Sequence, residues 1–143
     1  VAIPDKEGLI SNPTTSYRVW QSADLRNYNY FYTVAGYPFE TSEVRVKVRK
    51  GEVHSTVYAH DGIDASHQDE IRKGQNAQKR YPSMGRTIED IFEHVRSCTG
   101  DCYVRRELYH PDLGFPVLIE LESKELADGW AVFRVKRLEV TDW

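Results

Sequence analysis

The densest grouping of reactive side chains lies at positions 60–70, where His60, Asp61, Asp64, His67, Asp69 and Glu70 fall close together. Imidazoles and carboxylates form the donor set of a divalent cation, and a loop can fold such ligands together whatever their spacing. The helical metalloprotease pattern is absent here, the calcium-loop pattern is absent, and Asp61-Gly62 is also an ordinary turn. A metal site at His60, Asp61, Asp64 and His67, serving a metal-assisted hydrolase, is therefore the alternative to a long solvated loop over 60–86. No Ser-His-Asp elbow, phosphate loop or paired-carboxylate signature occurs elsewhere. The expected function is accordingly non-catalytic, and no cofactor is called for.

Binding chemistry has one further candidate. Tyr28, Tyr30 and Tyr32 share a face with Val34 in an aromatic strand, while Asn29, Phe31, Thr33 and Ala35 share the other. Three tyrosines in a row suit a platform for a sugar or peptide; the same alternation suits an amphipathic strand with its hydroxyls at the rim. Cys98 and Cys102 flank Thr99-Gly100-Asp101, a spacing open to a disulfide or to two free thiols, and no second pair of ligands accompanies them for a metal. His54 and His94 are read as solvent-facing.

The elements that must position these groups follow from length and periodicity. A chain of 143 residues, 40% hydrophobic and 29% charged, suits one domain with a self-sufficient core. Mixed charges at a net −3 argue against a nucleic-acid partner, and no run reaches the ~18–20 apolar residues of a membrane span. The chain opens on Val1 and its one methionine is Met84, so an upstream segment, a secretory signal or another boundary, is expected to be missing. Residues 1–13, with Pro4, Gly8 and Asn12-Pro13, read as a loose arm. A short helix capped by Thr14, Thr15 or Ser16 follows, with Trp20 anchored in the core. Val44, Val46 and Val48 alternate with charged residues and turn back at Gly51 into 53–58. Thr87 caps the sharpest helix, 87–97, with Ile88, Ile91, Phe92 and Val95 on one stripe and Gly100 ending it. Three strands at 102–109, 117–122 and 130–140 close the chain. In the last, Phe133 and Val135 mark the inner face and Leu138 falls on the other. Between the first two, Pro111, Asp112 and Gly114 build a tight turn. The expected fold class is α+β: residues 14–143 as a single domain, with one antiparallel sheet of five or six strands packed on one main helix and a short N-terminal helix at an edge or end.

The order of these parts resembles a known family. An aromatic strand, a Val-X-Val-X-Val hairpin with a Lys-Gly tip, a Thr-Ile-Glu-Asp-Ile-Phe helix and a Tyr-X-Pro-X-X-Gly-Phe-Pro turn are similar to the domain of unknown function 6174 family of bacterial secreted and lipoprotein domains. The similarity spans about Trp20 to Leu138 and is most specific at 87–95 and 109–121. Members usually carry Asp where this chain has His110, so no function can be tied to that acid here. The resemblance implies a periplasmic, envelope-anchored or secreted protein, often with an upstream signal peptide or lipid-attachment cysteine, and no established enzymatic activity. It also favours an oxidised Cys98–Cys102 pair. The partner expected on this basis is an envelope or extracellular protein or peptide, with an inhibitor-like role as one version. Membrane contact would come only through an upstream lipid anchor. A structural or oligomerising unit, pairing strands 44–48 and 130–139 between copies, is the remaining alternative.

Overall fold

Alternation and turn chemistry account for most of the strands in the computed structural model, which describes residues 1–37, 42–59, 86–123 and 129–142. Strands β1 (Tyr28–Tyr37), β2 (Ser42–Arg49), β3 (Glu52–Ala59), β4 (Cys102–Tyr109), β5 (Pro116–Ser123) and β6 (Gly129–Val140) form one antiparallel sheet. Their order is β3-β2-β1-β6-β5-β4, so β1 and β6 are the central pair. The tyrosines of β1 face the same side as the valines of β2, with Tyr28 opposite Val48, Tyr30 opposite Val46 and Tyr32 opposite Val44. The β2–β3 reversal uses positive φ at both Lys50 (54°) and Gly51 (78°). Two successive left-handed residues match the twist of the flanking strands.

Among the described residues two short helices cover the inner face. Helix α1 (Pro13–Ala23) starts two to four residues earlier than expected: Asn12 is its cap and accepts from the Thr15 amide at 3.0 Å. Pro13 explains the shift, because it fixes a helical φ and has no N–H to satisfy, which suits the first helical position. Helix α2 (Ile88–Arg96) has the expected Thr87 cap, completed by Asp90 as a reciprocal capping box. Its apolar stripe, Ile88, Ile91, Phe92 and Val95, is buried as the spacing requires. The helix stops at Arg96, before Gly100, which takes φ 68° in the following turn. Ser97 closes the helix end, its amide and hydroxyl donating to the carbonyls of Glu93 and His94.

The expected fold class is corrected by this arrangement. Among the described residues there is no single main helix. The helix assigned that role has nine residues and the supposed minor one has eleven, so the six-stranded sheet dominates and the pair shares the roofing. Trp20 of α1 meets Tyr28 edge-on at 5.3 Å, and Phe92 of α2 stacks on Tyr109 at 5.5 Å. A sharp hydrophobic stripe on α2 reports how firmly it packs, and carries no information on how much of the sheet it covers.

A second correction concerns β6. Phe31 lies opposite Arg137 and Tyr32 opposite Val135, which leaves Lys136 as an extra residue in a bulge. A bulge reverses the alternation beyond it. Leu138 consequently joins Phe133 and Val135 in the core.

The 110–116 turn docks on α1. His110 is buried and stacks on Phe115. Its Nδ1 accepts from the amides of Asp112 and Leu113, both at 3.2 Å, as an aspartate oxygen at a turn start would. With Nδ1 accepting, Nε2 carries the proton and donates to the Ala2 carbonyl at 2.8 Å. Gly114 has φ 78° and lies so close to α1 that a Cβ would stand 2.1 Å from the Ser16 carbonyl oxygen. Residues 1–10 contain a 3₁₀ turn at Lys6–Gly8 and pair with the end of β4 through reciprocal Ile10–Tyr109 backbone bonds of 2.9 and 2.6 Å.

Candidate functional site

Period-2 alternation sends every second residue of the sheet away from the helices. On that outer face Phe31 of β1 stands directly between Arg45 of β2 and Arg137 of β6, its two cross-strand neighbours. One residue pair along, Asn29 stands between Lys47 and Glu139. These side chains line an open groove of about 400 Å³. The Arg45 guanidinium lies over the Phe31 ring at 5.1 Å, a cation–π arrangement, and Arg137 pairs with Glu139 at 2.8 Å. Asn29 is oriented by Arg49, which donates to its Oδ1 at 2.9 Å. The site offers an apolar centre, two planar guanidinium forks and an amide, which is recognition chemistry.

Toward β4 the same face is partly covered. Leu118 points away from the helices yet is 6% exposed. Ile3, Pro4 and Leu9 of the N-terminal segment sit across a cleft of about 500 Å³ from Leu108 and Leu118, with Arg134 and Lys136 at its rim. The open half of the face is therefore the part formed by β2, β1 and β6.

The tyrosines proposed as a platform lie on the opposite side. Tyr28, Tyr30 and Tyr32 are 0%, 2% and 0% exposed, beneath the helices, and present no face to a ligand. The Tyr28 hydroxyl accepts from the Ile88 amide at 3.0 Å and makes a long contact, 3.5 Å, with the Glu89 carboxylate, whose other oxygen accepts from Trp20 Nε1 at 2.9 Å. The Tyr30 hydroxyl donates to the Arg86 carbonyl. Burial pushes the phenols of Tyr28 and Tyr30 well above the usual tyrosine value. Through these hydrogen bonds Tyr28 and Tyr30 tie β1 to the start of α2. The alternation of β1 is legible in the sequence, but which of its faces the helices cover is not. The better signal was Phe31, a large apolar residue among Asn and Thr, on the polar face.

His60, Asp61, Asp64 and His67 lie outside the described residues. Among the described residues no group of three His, Cys, Asp or Glu is placed to hold a metal ion. Cys98 and Cys102 form a disulfide with 5.1 Å between their Cα atoms. No helix of the described residues is long and apolar enough to cross a membrane. His54 is exposed, as expected.

His94 differs from expectation. It is half-buried, beside Val34, Ile91, Val95 and Phe133, and loss of solvent pushes its pKa below the ordinary 6.5. The unfolded chain then takes up this proton before the folded chain does, so the contribution of His94 to stability is lost as pH falls below about 6.5 toward the lower folded value. Urea midpoints measured from pH 7.5 to 5.5 are expected to fall, and His94→Gln is expected to flatten that fall. An unchanged slope in the variant would remove His94 as its source.

Residues 14–140 match the model of a family of unknown function (DUF6174). No curated protein and no solved structure gives a significant match to the chain.

Proposed function

The chain belongs to the DUF6174 family, and from that premise we propose that it is a non-catalytic domain that binds a protein or peptide partner through the open face of its sheet. One observation carries this: Phe31 stands at the centre of the uncovered face with an arginine on either side. Aromatic rings and arginines are the side chains that protein interfaces concentrate, and buried aromatic and arginine anchors supply most of their energy. An inhibitor-like role is one form of the same activity, by analogy of fold. The Cys98–Cys102 bond supports an envelope or secreted location, because disulfides persist in oxidising compartments. The partner is then an envelope or extracellular protein.

The test compares the wild-type chain with a Phe31→Ala/Arg45→Glu variant, both immobilised and exposed to envelope extract. Both side chains lie on the outer face, so the variant is expected to keep its fold at a cost of about 1–2 kcal/mol from lost cross-strand pairs. A protein retained by the wild type should be depleted at least tenfold on the variant, and the same ratio should hold when that protein is purified and titrated. Equal retention on both, or retention on neither, overturns the proposal.

A further inference from the structure

We propose that the segment received by this face is acidic, a stretch of a partner protein whose carboxylates meet Arg45, Lys47 and Arg134 while one apolar side chain packs on Phe31; this rests on the binding reading above. The chain as a whole carries 22 acidic and 19 basic side chains, a net −3. Its outer sheet face has the opposite balance. Arg45 and Lys47 of β2 and Arg134 and Arg137 of β6 lie there, and among the described residues no carboxylate pairs with Arg45, Lys47 or Arg134. Glu139 is engaged by Arg137 at 2.8 Å, while Glu120 and Glu122 are drawn toward Arg106 and Arg105 of β4 at 3.9 and 3.5 Å. The uncompensated charge of the face is positive on a molecule that is otherwise negative.

That segregation selects a partner. A negative body repels polyanions at long range, while a local positive field steers and orients a short anionic stretch. The Arg45 guanidinium lies over the Phe31 ring at 5.1 Å and is paired with no carboxylate among the described residues, and a guanidinium can take a carboxylate through two parallel bonds. A phosphate backbone is a poorer fit. The groove is centred on an aromatic ring and has the Glu139 carboxylate in its wall, where a continuous row of cations would be needed.

The experiment is fluorescence anisotropy on the full chain with a labelled ten-residue peptide carrying five Glu and one Phe, and its counterpart with Gln at each Glu. The Glu peptide is expected to bind at least tenfold more tightly at low salt. The preference should shrink as salt rises, and Arg45→Glu/Lys47→Glu should abolish it while the chain still melts in one cooperative transition. Equal binding of the two peptides, still lost in Phe31→Ala, overturns the acidic class and leaves the face as a binding surface. Binding of either peptide that ignores both variants overturns the face as well. Binding of neither peptide overturns the acidic class, and the extract capture then decides the face independently. Tighter binding of duplex DNA or phosphatidylserine vesicles, sensitive to the same charge reversal, overturns a protein partner.

Discussion

Gly114→Ala is expected to lower the stability of the fold by at least ~3 kcal/mol, a large share of the roughly 5–15 kcal/mol that holds a domain of ordinary size together. Two costs combine. At φ 78° an L side chain is strained by about 1–3 kcal/mol. The new methyl would also stand 2.1 Å from the Ser16 carbonyl oxygen and 2.9 Å from the Trp20 amide, so it meets helix backbone, which cannot rotate away. Either α1 lifts from the sheet or the turn leaves α1. Gly100→Ala provides the control, because its φ of 68° is similar and nothing lies within 4 Å of the added carbon. It should cost only the conformational part, about 1 kcal/mol. Urea unfolding of the two variants separates clash from strain, provided the slope against denaturant is unchanged. Equal losses at both glycines would mean that the 110–116 turn does not press on α1 in solution.

Trp20→Ala is the other change of comparable size, with an expected loss of about 3–5 kcal/mol. Trp20 is buried between Tyr28, at 5.3 Å, and Phe115, at 6.4 Å, and so joins α1 to both the sheet and the turn. Its indole N–H also holds Glu89 at the start of α2. Trp20→Phe keeps an aromatic ring but loses the indole donor, so it should cost less, about 1–2 kcal/mol, from the smaller ring and one hydrogen bond to an exposed carboxylate. Glu89→Gln in the Trp20→Phe background should then add almost nothing at the lost bond. Calorimetry or urea melts followed by circular dichroism read all three. A loss below about 1 kcal/mol for Trp20→Ala would show that α1 contributes little to the fold. Trp20→Ala and Gly114→Ala share one helix interface and should be less than additive when combined.

What was legible beforehand was local. The valines of β2 and the stripe of α2 are set by side-chain periodicity within one element, and both appear where the pattern puts them. The Thr87 cap is equally local, a hydroxyl three residues before the amide it serves. What was not legible depends on partners distant in sequence. The bulge at Lys136 exists only because β6 must keep register with β1, and nothing in residues 130–140 alone distinguishes it from a continuous strand. The two helices share the roof because Trp20 reaches Tyr28 and Tyr17 reaches Phe92 at 4.9 Å, contacts that no helical pattern contains. The candidate site has the same origin. Phe31 was visible on the polar face of its strand, but the arginines on either side of it come from strands on opposite sides of β1 in the sheet.

The pairing of β1 with β6 also sets the order of assembly. Tyr28 lies opposite Val140, so the centre of the sheet is closed by residues far apart in sequence. A chain emerging from its N-terminus can form the β1–β2–β3 meander early, through short-range contacts, but must hold its β1 edge unpaired until β6 has been made. The second meander, β4–β5–β6, is likewise built from pairings between strands adjacent in sequence. Sheets dominated by such long-range pairing fold in about milliseconds to seconds, where local helical folds take microseconds to milliseconds. During that interval β1 presents an unpaired strand edge, the kind of surface that invites wrong pairing.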